Sequence, residues 1–244
     1  MTSHRVETGD GAILQVEEDG AGTPLLLVNG AFCTLRQWDR VVADLSPSFR
    51  VIRHDVRGSG RSGPGPESGY RFEQYADDIA TICDRLEVGP AMLWGMAWGA
   101  RVALVAAVRH ADRFRRLVLS DLAIDPADVE AQKAGARAAR EARAREGIAE
   151  LPLPDGWRDH EDFEVAKKAM AATVYHEDLM PFVTRVGMPV LVATGEHDPN
   201  LVSSRRALSG IADGRLAVLA HTGHGSVLQR PDLVTELVAG FLQG

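Results

Sequence analysis

The sequence predicts an α/β fold in which a doubly wound, mostly parallel sheet carries an inserted helical lid. Short apolar runs alternate with stretches of helical periodicity along most of the 244 residues, and repeated strand–helix units of this kind build a parallel sheet covered by helices. The alternation stops near residue 126 and resumes near residue 189, and the stretch between is rich in Ala, Arg and Glu. We therefore predict a core made of residues 1–124 and 187–244, and a helical lid, or cap, made of residues 125–186.

The first part of the chain predicts an antiparallel start to the sheet. His4–Glu7 and Ala12–Glu17 alternate between apolar and polar residues around Gly9-Asp10-Gly11, which is typical of a hairpin turn. Pro24–Asn29 is instead a continuous apolar run, as expected for a strand buried on both faces of a parallel sheet. The patterns that follow predict, in chain order, a helix at 36–45, a strand at 50–54, a helix at 72–86, a strand at 91–95, a helix at 100–108 and a strand at 116–120.

The strand pattern returns after the lid. Strands are predicted at 189–194 and 216–220, and a closing helix at 233–241. Ligands of such sheets bind beyond the carboxyl ends of the strands, so the interruption indicates a lid placed over that edge. We expect the apolar walls that the lid supplies to come from among Leu153, Trp157, Tyr175 and Phe182.

Composition excludes several classes of function. The net charge is −7, and the basic residues are scattered, which argues against a nucleic-acid surface. One run of arginines at helical spacing is interpreted as a solvated helix face; it comprises Arg137, Arg140, Arg143 and Arg145. No signal peptide and no apolar run of membrane-spanning length is visible. We expect a cytoplasmic protein with no membrane partner and with Cys33 and Cys83 reduced, and the sequence leaves open whether it forms a homo-oligomer.

The segment Gly95-Met96-Ala97-Trp98-Gly99 carries the most information about function. An apolar run precedes it and a helical stretch follows it, which is the context of the nucleophile elbow G-x-S-x-G, where a serine stands on a sharp strand-to-helix turn. Small residues at 95, 97 and 99 suit such a turn. The central position, however, is Ala97, and a methyl group cannot attack a carbonyl carbon.

Two further residues fit the same chemistry. Asp198 and His224 each follow a predicted strand, and the chain order of position 97, acid and histidine is that of a hydrolase triad. His224 would take the proton of a nucleophile, and Asp198 would orient the imidazole and stabilise its charged form.

Other residues compete for these roles. Asp121 also leaves a predicted strand and is the reserve acid. His221 competes with His224, and His197 is interpreted as a residue of the pocket rim. Cys33, near the loop after the first parallel strand, is an alternative nucleophile that does not lie on the elbow.

On these motifs the chain resembles the α/β-hydrolase superfamily over nearly its whole length. Asn29-Gly30-Ala31 lies where that family commonly has His-Gly-x, and Asp55–Ser62 is similar to its Asp-x-Arg-Gly-x-Gly-x-Ser loop. The resemblance implies an oxyanion hole formed by the backbone N–H groups of Ala31 and Trp98. It is similar in particular to small bacterial esterases and enol-lactonases. The side chains expected to contact a substrate are Phe32, Met96, Trp98, Trp157 and Tyr175.

No cofactor is predicted. No Gly-x-Gly-x-x-Gly follows the first parallel strand, and no His, Cys or Asp residues have metal-ligand spacing. We therefore expect neither a nucleotide cofactor nor a metal, and the only partner expected is a small ester or lactone.

Three interpretations of Ala97 remain open. The favoured one is an inactivating Ser-to-Ala substitution in a hydrolase that cleaves a carboxylic ester or lactone through an acyl-enzyme, because the acid, the histidine and the oxyanion loop are all present. This chain would then be nearly inactive, since loss of one triad member costs on the order of a million-fold in turnover. The alternatives are a natural ligand-binding pseudoenzyme and a natural catalyst in which His224 acts as general base without a covalent intermediate.

Overall fold

The structure of the chain is a computed structural model that describes residues 1–126, 128–171, 173 and 178–244. In the described residues, eight strands form one sheet, and helices pack on both of its faces. The strands are β1 (Thr2–Glu7), β2 (Ile13–Asp19), β3 (Thr23–Val28), β4 (Phe49–His54), β5 (Ala91–Met96), β6 (Phe114–Ser120), β7 (Val190–Gly195) and β8 (Gly214–Leu219).

The helices lie between the strands, as the sequence pattern predicts. They are α1 (Asp39–Leu45), α2 (Phe72–Arg85), α3 (Trp98–Arg109), α4 (Val129–Arg145), α5 (Phe163–Ala171), α6 (Met180–Val183), α7 (Asn200–Leu208), α8 (Ser226–Gln229) and α9 (Pro231–Gln243). Short 3₁₀ turns occur at Leu35–Trp38, Glu67–Gly69 and Ala111–Arg113.

The strand order is β1-β2-β4-β3-β5-β6-β7-β8. β1 pairs antiparallel with β2, and β2 pairs antiparallel with β4, whereas all remaining pairs are parallel. This arrangement confirms the predicted fold class. Because β3, β5, β6 and β7 are parallel, their carboxyl ends lie at one edge of the sheet. The strand order switches sides between β3 and β5, and ligands of such sheets bind at the carboxyl edge beside a switch of this kind.

The central strand β5 separates two apolar layers. Leu93 belongs to the layer beneath α2 and α3, whereas Trp94 belongs to the layer beneath α1 and α9, because successive side chains of a strand point to opposite faces. In the second layer, the ring of Trp38 meets the ring of Trp94 edge-on with centroids 4.9 Å apart. The indole N–H of Trp94 donates to Ser120 Oγ over 2.8 Å, so this buried polar group is satisfied.

The stretch between β6 and β7 is less helical than its composition predicts. α4 and α5 are separated by an irregular segment at 146–162, which contains Gly147, Pro152, Pro154 and Gly156. Proline and glycine both oppose helix propagation, and the high Ala and Arg content around them masks this signal.

The interpretation of the arginine run is wrong for one residue. Arg143 is buried, and its Nη1 donates to the backbone oxygen of His221 over 2.9 Å and to Gln229 Oε1 over 2.8 Å. Arg137, Arg140 and Arg145 are exposed, as predicted. Helix α4 therefore turns one arginine of the run onto the loop that follows β8.

Two further expectations concern the cysteines and the membrane. Cys33 and Cys83 are both buried and free. Among the helices of the described residues, none combines the length and the apolar character needed to cross a bilayer.

A buried ion pair anchors the loop after β4. Arg57 is fully buried, and its guanidinium donates from Nε and Nη2 to both carboxylate oxygens of Asp78 over 2.7 and 2.6 Å. It also reaches Asp10, with Nη1 2.7 Å from Oδ2. Burial raises the pKa of Asp78 even though Arg57 opposes the shift. The pair therefore adds little net stability, but removing Asp78 would leave the buried charge of Arg57 only partly compensated, by Asp10.

We expect Asp78→Ala to lower the free energy of unfolding by about 3–5 kcal/mol, because it leaves the buried Arg57 charge paired only with the partly exposed Asp10. Asp77→Ala is the matched control: it removes the neighbouring carboxylate of the same helix, whose partner Arg109 is exposed, and it should cost about 1 kcal/mol or less. Urea denaturation followed by circular dichroism measures both. Equal losses in the two variants would show that burial of the Arg57 pair does not set its importance.

Candidate active site

The turn between β5 and α3 has the backbone of a nucleophile elbow. Ala97 has φ 54° and ψ −110°, a conformation that costs a non-glycine residue on the order of 1–3 kcal/mol. Its N–H donates to the backbone oxygen of Ser120 over 2.8 Å, and its own carbonyl accepts from Ala100 N–H over 3.1 Å. The surrounding hydrogen bonds thus hold position 97 in a strained geometry at the start of a helix.

The glycines on either side of Ala97 are required by close packing. A Cβ atom at Gly95 would lie 2.2 Å from the backbone oxygen of Gly99, and a Cβ at Gly99 would lie 2.3 Å from the backbone oxygen of Asn29. Both distances are far below van der Waals contact. The spacing of small residues read from the sequence therefore has a steric cause.

Asp198 and His224 meet at the carboxyl edge of the sheet. Asp198 lies three residues beyond β7 and is buried, and its Oδ2 lies 3.0 Å from His224 Nδ1. Its Oδ1 accepts from the Asn200 N–H over 3.0 Å. Because an ionised carboxylate only accepts, Nδ1 carries the proton, and Nε2 is left without a hydrogen-bond partner among the described residues.

Asp121 lies beside this pair. It is fully buried and has φ 54°, and its Oδ2 accepts from the N–H groups of Gly225 and Ser226 over 3.1 and 2.7 Å. Its Oδ1 has no hydrogen-bond partner in the described part of the chain. Both candidate acids therefore contact the histidine region. Asp121 accepts hydrogen bonds from the backbone of the loop that carries His224, whereas Asp198 is hydrogen-bonded to the imidazole itself.

The side chains of Asp121, Asp198 and His224 lie close enough for their charges to affect one another's pKa values. Burial and the charge of Asp198 raise the pKa of Asp121 to about 7. Burial lowers the pKa of His224, but the hydrogen bond and charge of Asp198, with the charge of Asp121, outweigh it, so the pKa lies above its ordinary value. One ligand-type atom from each residue lies within 4.8 Å of the others. Within the described ranges, these three residues form a cluster of the kind that can bind a metal ion. Hydrogen bonds, however, already explain why Asp198 lies beside His224 and why Asp121 Oδ2 lies where it does.

The loop after β3 is fixed from several directions. Asn29, which stands where the family resemblance places histidine, donates from Nδ2 to the backbone oxygen of His54 over 2.9 Å and accepts from Trp38 Nε1 over 2.9 Å. Neither the backbone N–H of Ala31 nor that of Trp98 has a hydrogen-bond acceptor among the described residues. Both residues line the same cavity.

His160 ties this loop to the stretch between β6 and β7. Its Nδ1 accepts from the Gly60 N–H over 2.9 Å, and its Nε2 lies 3.3 Å from the backbone oxygen of Phe32. Phe32 itself has φ 56°. These contacts of His160 could not be predicted, because a single histidine outside a motif carries no sequence pattern that indicates its partners.

A cavity of about 440 Å³ brings these elements together. Ala31, Ala97 and His224 line it. Four of the five predicted substrate contacts also line it: Phe32, Met96, Trp98 and Trp157. The fifth, Tyr175, lies outside the described residues.

Of the four residues from among which the lid was expected to supply pocket walls, Trp157 lines the cavity, whereas Leu153 and Phe182 do not. Leu153 is 50% exposed, and Phe182 packs on the apolar layer beneath α2 and α3, so neither lines the cavity. Val129 and Met170 take that place, from α4 and α5. Val129 and Met170 could not be predicted as cavity residues, because an apolar residue in a helix gives the same sequence pattern whether it packs in the core or lines a cavity.

The remaining candidates lie elsewhere or are chemically inert. His197 and His221 face Glu196 Oε1 at 2.9 and 3.6 Å, and neither is among the residues lining the cavity. Cys33 does line it, but burial raises the pKa of its thiol to about 12. A thiol that stays protonated at neutral pH is a poor nucleophile.

Known proteins match the chain in sequence and in structure. A family model described as the alpha/beta hydrolase fold matches residues 23–171. Over 98% of the chain, the sequence is 32% identical to 2-(acetamidomethylene)succinate hydrolase of Mesorhizobium japonicum, 87% of which is covered. A second match, 35% identical to 2-hydroxymuconate semialdehyde hydrolase of Pseudomonas sp., covers 43% of this chain and 38% of that enzyme. The enol-lactonase from Burkholderia xenovorans LB400 superposes over 100% of both chains with a TM-score of 0.82 at 26% identity.

The pKa of His224 tests the electrostatics of the site. We expect Asp198→Asn to lower that pKa, because burial then acts against the imidazolium with only the charge of Asp121 opposing it. Asp121→Asn should lower it less, because Asp121 acts on His224 through its charge. An NMR titration, with the resonance assigned by its loss in His224→Gln, gives the values. Asp84→Asn, on the exposed end of α2, is the control; an unchanged pKa in Asp198→Asn would contradict the assignment.

Proposed function

The chain belongs to the alpha/beta hydrolase fold family, and from that premise we propose that its cavity binds a carboxylic ester or lactone whose hydrolysis requires a hydroxyl nucleophile at position 97. The observation that carries the proposal is that the elbow residue Ala97 and His224, whose Nδ1 is hydrogen-bonded to the buried Asp198, line one cavity. The sequence and structural relatives, which are named as hydrolases, support it.

With serine at 97, the residues of the site would divide the reaction into two steps. The hydroxyl oxygen attacks the acyl carbon while His224 takes its proton, and the same proton then goes to the leaving oxygen. Water repeats the sequence on the acyl-enzyme and releases the acid. The N–H groups of Ala31 and Trp98 would stabilise the oxyanion in both steps, each by about 3 kcal/mol.

Alanine removes the covalent route and leaves the rest. The backbone donors, the oriented imidazole and the apolar walls depend on no atom of the missing hydroxyl. We therefore interpret Ala97 as an inactivating replacement of serine, so that this chain binds its substrate and turns it over slowly through water activated by His224.

The stretch at 125–186 serves, in this proposal, as the lid of the active site. Val129, Trp157 and Met170 line the cavity from this stretch, and Trp157 is joined to the loop after β3 by the hydrogen bond from the Thr34 N–H to its backbone oxygen, 2.8 Å long. The lid would exclude water from the acyl group.

A second function has one observation in its favour. Asp121 and Asp198 both raise the pKa of His224, which makes the imidazole a stronger base than an isolated histidine. A stronger base would serve a natural catalyst that removes a proton from water or from an acidic C–H group without a covalent intermediate.

We expect Ala97→Ser to increase the hydrolysis of short acyl esters and lactones by about 10⁴-fold or more, because a serine there meets an oriented base and an oxyanion hole. Ala97→Ser with His224→Ala should return to background. The rate should rise with pH as His224 loses its proton, with a midpoint above about 6.5 because its pKa is raised. The measurement is kcat/KM from pH 5 to 9 on the unmodified chain and on the Ala97→Ser variant.

The same assay separates the alternatives. Robust and equal turnover by the unmodified chain and by the Ala97→Ser variant would replace our interpretation with the non-covalent mechanism. Binding of esters without turnover by either protein would favour a ligand-binding pseudoenzyme.

A further inference from the structure

Two arginines line the cavity beside Ala97 and His224. They are Arg101 and Arg158, and none of the described residues that line the cavity is an Asp or a Glu. The chain as a whole carries a net charge of −7, so this concentration of positive charge is local to the cavity.

Arg101 is a buried cation whose hydrogen bonds go to backbone carbonyls. It lies one helical turn beyond the elbow on α3, and its side chain donates to the backbone oxygens of Ala123 and Asp125 over 2.8 and 3.2 Å. The residue is 6% exposed, and within the described ranges no carboxylate forms an ion pair with it. The side chain of Asp125 is instead engaged by Ser203 and Arg206.

A buried guanidinium of this kind is incomplete. Buried charges in proteins are normally paired, and an arginine has five N–H donors. Two carbonyl hydrogen bonds leave donors unused at a cavity wall. An anionic ligand would supply the missing charge and the missing acceptors.

Arg158 lies on the other side of the elbow and is exposed. Its guanidinium lies 4.1 Å from the ring centroid of Trp157, and its positive charge acts to lower the pKa of the Cys33 thiol, in the loop after β3. Arg101 instead contacts the loop after β6. Because β3 and β6 flank β5 in the sheet, the two cations stand on opposite sides of position 97.

We propose that the cavity selects esters or lactones that carry a free carboxylate, which binds Arg101 inside the cavity and is attracted by Arg158 at its rim. The reaction part of this inference rests on the proposed function, but the binding of the carboxylate does not. A guanidinium matches a carboxylate with two parallel hydrogen bonds. A phosphate dianion, by contrast, would need more donors than these largely apolar walls supply.

The chain as it stands allows a direct binding test. Isothermal titration calorimetry with succinate, glutarate and adipate, and with the neutral dimethyl esters, compares affinities at low and high salt. We expect at least one dicarboxylate to bind at least tenfold more tightly than its diester, and salt to reduce that preference. Inorganic phosphate should not compete.

Four variants assign the effect. Arg158→Gln, at an exposed position, should reduce the preference for the dicarboxylate at least threefold, and Arg158→Lys should restore part of it. Arg101→Lys keeps the charge but loses the planar fork, and should reduce the preference at least tenfold. Arg137→Gln removes an exposed charge of α4 away from the cavity, and should leave the preference unchanged. A purely structural role of Arg101 would change the affinities for charged and neutral ligands in equal proportion and would overturn the proposal.

Turnover separates this inference from the proposed function. If Ala97→Ser hydrolyses dimethyl glutarate as well as monomethyl glutarate, the carboxylate site is wrong and the hydrolase stands. If Ala97→Ser hydrolyses neither, while the unmodified chain binds a dicarboxylate in an arginine-dependent way, the carboxylate site stands and the hydrolase is wrong. Failure of all three dicarboxylates to bind would overturn the inference.

Discussion

The site depends on one steric constraint: the turn between β5 and α3 packs directly against the backbone of the segment that follows β3. Gly95 lies against Gly99, and Gly99 lies against the backbone of Asn29, with no room for a Cβ atom at either glycine. The N–H of Ala97 is held by the last residue of β6, Ser120. Three adjacent strands and one helix are thereby joined at a single point, and the groups that surround position 97 inherit their positions from this contact.

The charges of the site depend on burial as much as on partners. Asp121 and Asp198 lie beside one imidazole, and two adjacent buried carboxylates resist being ionised together. Burial and the charge of Asp198 therefore raise the pKa of Asp121, and the charge of Asp121 in turn raises the pKa of His224. Arg101 acts in the opposite direction on the imidazole. An anion bound at Arg101 would screen that opposition, which couples the charge of a ligand to the basicity of the group that would act on it.

The parts of the structure that follow local rules could be predicted from the sequence. The strand–helix alternation predicted the fold class, and Asp198 and His224, which follow strand ends, lie within hydrogen-bond distance of each other because parallel strands share their carboxyl edge. The inward arginine Arg101 could not be predicted, since its partners Ala123 and Asp125 are backbone carbonyls that leave no mark in the sequence. For the same reason the sequence could not assign separate contacts to Asp121 and Asp198, which depend on how three loops pack.

Backbone strain gives an independent argument that this edge of the sheet is built for function. Of the five non-glycine residues with positive φ in the described ranges, four stand after the carboxyl ends of β3, β5, β6 and β8; they are Phe32, Ala97, Asp121 and His221. Each costs on the order of 1–3 kcal/mol, and a fold selected for stability alone would place glycine there or relax the turns. The strain at Ala97 is the most informative, because a methyl group gains nothing from a strained position at the wall of a cavity, whereas a hydroxyl at the same Cβ would be presented to that cavity. The conformation of position 97 thus fits a side chain with chemistry to perform, and the surrounding contacts preserve that conformation in its absence.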